Sequence, residues 1–256
     1  MTTSSPSDGR TIGAVERSFE IIGFLRESGP ATVSAVAEGL DYSSSTAHIH
    51  LKTLEEIGYV VREGDGYALG FRFLRDGIVV QESTHLYHVA KPEVDRIAEE
   101  TGEGVGLGVE ENGQRVTLYN CRGSDSVHDN ALIGEFTNMH WTALGKALLA
   151  HKDRSGIADV VDRYGLPEAT DHTITDRERL FEEMEETRER GYAVENEERR
   201  EGLRSIAFPI RVEETTVGAI SITGPVNRMT DGRIADEFVD VLREAVNVVQ
   251  VNYQYD

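Results

Sequence analysis

Residues 32–54 read TVSAVAEGLDYSSSTAHIHLKTL. Val33, Val36, Ala37 and Leu40 recur at i, i+3, i+4 and i+7, which predicts a short helix with one buried face. Thr32, two residues after Pro30, is placed to cap it. Gly39 is placed to end it in the left-handed conformation. A second helix opens on the polar run Ser43, Ser44, Ser45, Thr46, with Ser43 as its cap. Ala47, Leu51 and Leu54 then fall on its inner face, and Ser44, Ser45, His48, Ile49 and Lys52 point outward. A helix, a tight turn and a second helix that presents hydroxyls and an imidazole make a helix-turn-helix whose second helix can meet base edges in double-stranded DNA.

Outward from this core, residues 14–28 are predicted to be a helix with Val15, Phe19, Ile22 and Leu25 as its apolar stripe, stopped by Gly29 and Pro30. On the other side, residues 58–62 read as a strand, 63–66 as a Gly-rich turn and 67–69 as a return strand. Three helices followed by a hairpin form a winged helix-turn-helix, although some modules that do not bind DNA share the same order. The wing at Asp65, Gly66 and Tyr67 is expected near the minor groove or backbone, with Tyr67 as a contact. Residues 1–10 read as a disordered tail. The winged domain is assigned to 11–70, a linker helix bearing Phe71, Leu74 and Ile78 to 71–85, and a second domain to 86–256.

Composition narrows the function. A chain of 256 residues suits two domains. No apolar run approaches the roughly 18 residues of a membrane span, and the amino terminus lacks an apolar signal stretch, so a cytoplasmic protein is expected. One cysteine, Cys121, rules out a disulfide framework or a multi-cysteine zinc site within one chain. The charge is the anomaly. Net charge is −20, and Lys52, Lys91, Lys146 and Lys152 are the only lysines. Even residues 1–85 hold seven basic residues against twelve acidic ones, the reverse of an ordinary DNA-binding domain. One reading is that the chain does not bind DNA. The other, which we prefer, is a cytoplasm of molar salt, where repulsion is screened within a few ångström and phosphate neutralisation adds little affinity.

Beyond the linker, residues 89–100 are predicted as a helix ended by Thr101 and Gly102. Residues 104–109 and 115–121 alternate as paired strands around the turn Asn112-Gly113, with a third strand at 129–133. Helices follow at 142–150, 153–164 and 176–190. Residues 206–212 and 217–223 form a second hairpin, and a last helix runs from 230 to about 253. The class is α+β, an antiparallel sheet with helices on its faces, suited to holding a small ligand in a loop-lined cavity.

The chain resembles IclR-family transcription regulators over residues 11–250. The matching residues are Ala14 to Ser18, Ser45 to His48, Gly58 to Val60 and Tyr67 to Gly70 in the first half. In the second half they are Thr142 to Ala150, Arg190 to Ala193 with Glu197 and Glu198, Gly202 to Ala207, and Ala219 to Pro225 with Arg228 to Thr230. The resemblance implies a winged helix that dimerises through the first domain and linker, giving a homodimer or tetramer. It also implies a GAF-like effector-binding domain for a small organic molecule, often a carboxylate or sugar acid. Carried across residue by residue, it places the effector at Ala143 and Leu144, Glu195, Leu203 and Ser205, and Ser221 and Thr223. Relatives often have cysteine at the position of Ser205 and aspartate at that of Glu195, so the ligand's identity does not transfer. They commonly carry arginine at the position of Ile49, which could instead pack on a thymine methyl. His50, at a usually apolar position, is expected half-buried.

The residues give these assignments some independent support. A helix starting near Thr142 offers unpaired N–H groups to a carboxylate, and Ser221 and Thr223, two apart on a strand, face one side. The hydroxyls could equally satisfy nearby backbone. Arg199, Arg200 and Arg204 could pair an anion or neighbouring glutamates, and Lys146 reads as a structural cap. Two rival functions remain open. Cys121 with His128 or His140 lacks the acid partner and oxyanion motif of an enzyme, so no catalytic residue or cofactor is assigned. His85 and His88 lack a third metal ligand. A metabolite sensor without DNA binding is the other alternative.

Overall fold

The computed structural model describes residues 11–127 and 131–255, so the predicted tail at 1–10 lies outside the described residues. The chain divides into two compact units, Met1–Val80 and Gln81–Asp256.

In the first unit, α1 (Gly13–Ser28), α2 (Val33–Gly39) and α3 (Ser44–Glu56) precede the hairpin of β1 (Val60–Glu63) and β2 (Gly66–Leu69). Thr32 Oγ1 accepts from Ala35 N and Ser43 Oγ from Thr46 N, so both predicted caps form. Two expectations are corrected. Gly39 stays helical, and the positive φ falls at Asp41 (55°). Gly39 is needed because a Cβ there would overlap the Phe24 ring. The α1 stripe is also turned. Ile21 and Leu25 are buried with Val36, Ala47, Leu51, Leu54 and Val60, while Val15 and Phe19 stay exposed. The helix carries apolar residues on two faces, and periodicity alone could not say which one meets α3.

The predicted linker is α4 (Arg72–Glu82), which ends before α5 (His85–Thr101) begins. It has a marked apolar side but no buried residue, and Phe71, Leu74 and Ile78 are all exposed. Helix α5 starts four residues earlier than expected and accommodates Pro92 in its interior. Gly102 ends it at φ 72°, a left-handed cap that favours glycine.

The second unit is built on one six-stranded antiparallel sheet. Its strands are β3 (Gly104–Glu111), β4 (Gln114–Arg122), β5 (Phe136–Thr137), β6 (Ala193–Asn196), β7 (Leu203–Val212) and β8 (Thr215–Pro225), in the order β5-β4-β3-β8-β7-β6. The third strand was expected at 129–133. The edge strand is β5 instead, because Leu132–Glu135 turn back on themselves, and Asp129 and Asn130 lie outside the described residues. The carboxy-terminal helix begins as α9 (Asp231–Arg233), passes through a π-helical stretch at Ile234–Phe238 and continues as α10 (Val239–Tyr255).

Each sheet face has its own core. On one face, α5 and α10 contribute Ala90, Val94, Ile97, Leu242, Ala245 and Val249 against Val105, Leu107, Ile206, Ile220 and Ile222. On the other, α6 (Ala143–Leu149), α7 (Arg154–Tyr164) and α8 (Arg177–Arg190) bring Leu148, Leu149, Ile157, Leu180 and Met184 against Ala193, Ala207 and Ala219. The alternation along each strand, branched on one side and small on the other, is what lets α6 approach closely. Gly145 of α6 belongs to the same fit, since a Cβ there would overlap the Met139 backbone.

Candidate functional site

Two places carry polar side chains that the cores do not consume. The first is the free face of α3. Ser44, Ser45, His48, Ile49 and Lys52 are exposed there, as expected, and Thr46 is half-buried. Ser43 Oγ sits 2.9 Å from Ser45 Oγ and 2.8 Å from Thr46 Oγ1, which ties the first turn together. Lys52 reaches Glu56 at 3.8 Å one turn on, so its charge is partly compensated. His50 is half-buried, with Nδ1 2.9 Å from Ser18 Oγ. It belongs to the α1–α3 contact.

Tyr67 is a correction. It is fully buried in the core of the first unit. Its backbone pairs with Ala31 at 2.8 and 3.0 Å, which pulls the start of β2 under the wing. A Cβ on Gly66 would press on the Ala31 backbone, so that residue is also an inner one. The exposed wing runs instead through Arg62, Glu63, Gly64 and Asp65. Sequence reasoning passed over Arg62, whose guanidinium stacks on Tyr67 at 3.9 Å and lies 3.5 Å from Glu55. The signal was available, since Arg62 is the wing's only cation.

The second place is a cavity between α6 and the sheet. About 830 Å³ of empty space lies there, open solvent at its mouth included. Its floor follows from strand register. Arg122 stands opposite Gly104, Gly104 opposite Thr223, Thr223 opposite Ser205, and Ser205 opposite Glu195. Residues directly opposite in antiparallel strands project to the same face, so one rung crosses five strands and ends on a carboxyl. The next rung reads Asn120, Gly106, Ser221, Ala207, Ala193. Its small members make room for α6, whose Leu144 lies over Gly106 and Gly108. All seven residues assigned from the sequence (Ala143, Leu144, Glu195, Leu203, Ser205, Ser221 and Thr223) line this one cavity.

Glu195 holds the cavity's far end together. Its Oε2 accepts from Ser205 Oγ at 2.7 Å, and its Oε1 accepts from the Glu198 and Arg199 amides at 2.8 and 3.3 Å. These bonds shape the turn that brings Arg199 and Arg200 to the cavity wall. Thr170 and Thr173 clamp the same turn through the Glu197 and Glu198 carbonyls. Burial pushes the Glu195 carboxyl up to about 7, against the opposing pull of Ser205 and the two amides. Beside it, Lys146 is buried and donates to Val194 O at 3.1 Å and to Glu198 Oε1 at 2.6 Å. It is the structural cap that was expected, with a carboxylate added to the carbonyl. Thr142 caps α6 by accepting from Gly145 N at 2.9 Å.

Sequence reasoning missed the β4 side of the cavity. Arg115, Thr117, Asn120 and Arg122 line it, and they reach one face only because a bulge in the pairing with β3, at Leu107 and Gly108, shifts the alternation of β4. Arg115 is buried and donates to Thr137 Oγ1 at 2.9 Å and to Thr117 Oγ1. Cys121, opposite Val105, is half-buried and packs against the α5 and α10 core, as expected, and burial pushes its thiol up, away from the thiolate. Arg204 points elsewhere, to Met229 O and Asp231 at 2.9 and 2.7 Å. His140 is bound to Pro167 O at 3.1 Å, and His128 lies outside the described residues. His85 and His88 engage Tyr253 O and Glu82 O separately. Among the described residues no group of three or more His, Cys, Asp or Glu could hold a metal ion, and no helix is long and apolar enough to cross a membrane.

Comparison with known proteins bears on both places. Residues 14–64 match the IclR helix-turn-helix domain, and residues 79–251 match the family described as "Bacterial transcriptional regulator IclR C-terminal". The chain is 30% identical over 250 residues to the "Probable HTH-type transcriptional regulator ArcR" of Halobacterium salinarum, covering 96% of this chain and 95% of that one. The crystal structure of IclR from Thermotoga maritima superposes with a TM-score of 0.79 at 29% identity, over 96% of this chain and 100% of that one. An IclR homologue from Microbacterium hydrocarbonoxydans, solved as a complex with 4-hydroxybenzoate, shares the fold with a TM-score of 0.81 at 22% identity, over 95% and 100% of the two chains. These relatives are transcriptional regulators, a non-enzymatic family with a DNA-binding helix-turn-helix and a ligand-binding carboxy-terminal domain. The chain belongs to the IclR family of transcriptional regulators.

Proposed function

We propose that this regulator binds a two-fold operator as a homodimer or tetramer, through α3 and the wing, and that a small organic acid in the α6 cavity modulates that binding to control a metabolic operon. The observation that carries the reading is the cavity floor, where three hydroxyls and a carboxyl line up across strands beneath the start of α6. Convergent polar groups of this kind in a concavity are the mark of a small-molecule site. Ser44, Ser45, Thr46, His48, Ile49 and Lys52 are the DNA-facing set, and Arg62 replaces Tyr67 on the wing. The relative that holds 4-hydroxybenzoate supports a carboxylate. Two exposed apolar faces, Val15 and Phe19 of α1 with Ile12 just before it, and Leu74 and Ile78 of α4 with Phe71 just before it, support burial against a second copy. The acidic, lysine-poor surface and the haloarchaeal relative support a protein that works in a salt-rich cytoplasm. Coupling between effector and operator runs through α4 in this reading.

Genome-wide occupancy of the tagged protein in its native host tests it. A few sharp peaks over a shared inverted repeat, which weaken when the carbon source changes, are the expected result. Absence of enrichment on every carbon source and at every salt concentration would overturn it in favour of a sensor without DNA binding.

A further inference from the structure

Strand β4 carries one residue more than β3 pairs with. Leu107 stands opposite Tyr119 and Gly108 opposite Thr117, so Leu118 between them has no partner in that register. A bulge of this kind disrupts the ladder locally and re-aims the side chains beside it. It serves the cavity, since Thr117 just before it and Asn120 two residues after it both line the wall. The Leu118 carbonyl serves the linker. Gln81, in the last turn of α4, donates to it through Nε2 at 2.6 Å in a partly buried setting. The next residue, Tyr119, is held by α5, its hydroxyl donating to Asp95 Oδ1 at 2.7 Å. One short stretch of strand therefore touches both the ligand space and the end of the linker helix.

Helix α4 is held at its start as well. Within the first unit, Arg72 donates to the Ile57 carbonyl, the Tyr59 hydroxyl donates to Asp76, and the Phe73 ring packs edge-on against Tyr59 at 4.8 Å. Those contacts fall at the foot of β1, the first strand of the wing. No residue of α4 is buried, so side-chain anchors such as these fix its position within the chain. A hydrogen bond weakens steeply as its angle opens, so an amide bound to the carbonyl of a bulged residue responds to small shifts of that backbone. Coupling between distant sites travels through contiguous hydrogen bonds, packed side chains and rigid elements. We infer that the Leu118 bulge is the joint that passes the state of the cavity wall to the linker helix, with Gln81 as its positioning residue. The inference rests on the effector reading of the same cavity and names the contact through which that site reaches α4.

Hydrogen exchange of the α4 amides in the full-length protein tests this without any effector. Gly106→Ala serves as the occupant, since its methyl would enter the cavity 3.2 Å from Ser221 Oγ and 3.4 Å from Leu144 Cδ1. Asn120→Ala perturbs the wall opposite Gly106 and adds no bulk. Each should change exchange in the last turn of α4 by about fivefold, the scale of one hydrogen bond strengthened or lost. Gln81→Met keeps the length of a half-buried side chain and removes its donor. In that background the response to either cavity substitution should shrink to less than about twofold, a coupling that the double-mutant cycle reads directly. A merely structural Gln81 would raise exchange and leave the response intact. Unchanged α4 exchange in both cavity variants, or the same response with and without Gln81, would overturn the joint. In the native host, operator occupancy by Gln81→Met should no longer weaken when the carbon source changes. Occupancy that weakens as in the wild type would overturn the joint too. Wild-type peaks indifferent to carbon source would instead overturn the effector reading, and the exchange cycle then decides the joint alone.

Discussion

At the scale of single residues, Glu195 has two jobs that pull against each other. Its carboxyl organises the turn carrying Arg199 and Arg200, and burial raises its proton affinity to about 7. The unfolded chain holds that proton only below the usual glutamate range, near 4.5. Between those two values the folded state binds more protons than the unfolded one, so stability falls as pH rises through the window and levels off above it. Glu195→Gln keeps the neutral shape, with its oxygen facing the two amides and its NH2 facing Ser205. Chemical denaturation at pH 5 and pH 8 should therefore show the wild type losing stability relative to this variant at the higher pH, by at most on the order of 3 kcal/mol. An identical pH profile in the two proteins would mean that the carboxyl is hydrated. Tyr67 makes a separate case. Its hydroxyl has no hydrogen-bond partner among the described residues, so Tyr67→Phe should cost less than about 1 kcal/mol. Tyr67→Ala removes a fully buried ring and should cost about 3–5 kcal/mol. Thermal unfolding of the two variants separates packing from polar contact.

At the scale of elements, α3 is fixed from both ends. Ser43 caps its first turn, and Ala47, Leu51 and Leu54 anchor its inner face. Ser43→Ala should lower stability by about 1 kcal/mol and loosen the hydroxyl cluster that Ser43 shares with Ser45 and Thr46. His48 takes no part in that cluster and is exposed, so His48→Ala should fold normally and lose operator discrimination. A footprint with unchanged sequence preference would remove His48 from the interface. The helix-turn-helix was readable from sequence because caps and a one-sided apolar period agree over a short span. The apolar face of α1 was not, because two faces compete and only the position of α3 decides between them. The seven candidate residues of the cavity were reached through blocks of family resemblance and line one space. The β4 arginines were missed because strict alternation puts Arg115 and Arg122 on opposite faces, and only the bulge in the pairing with β3 brings both to the side that meets α6. Tyr67 misled because a tyrosine beside a Gly-rich turn reads as a surface aromatic, whereas its pairing with Ala31 is a long-range contact.

At the scale of the whole molecule, the exposed apolar residues of α1 and α4 are too many for a lone soluble chain to leave in water without reason. Phe71 is 90% and Leu74 61% exposed. Leu74→Glu combined with Phe71→Glu should convert the proposed homodimer or tetramer to monomers in sedimentation velocity while leaving the far-ultraviolet circular dichroism unchanged. A wild-type protein that sediments as a monomer would show that these faces serve something else. The excess of acid predicts that unfolding temperature climbs from dilute buffer to molar KCl as repulsion is screened. A fall over that range would contradict the salt-rich setting.

The rungs of the cavity floor join residues 104, 106, 120, 122, 195, 205, 221 and 223, so the site has no local precursor. No hairpin contains it: β3 with β4 supplies one end, β7 with β8 the middle, and the closing β3–β8 pairing spans more than a hundred residues of chain. Contacts of that separation form late, after the loop entropy between them has been overcome. A metabolite that recognises the finished floor finds nothing to grip in a half-folded chain. Its presence should lengthen the lifetime of the native domain, by slowing unfolding, and leave the refolding rate where it was.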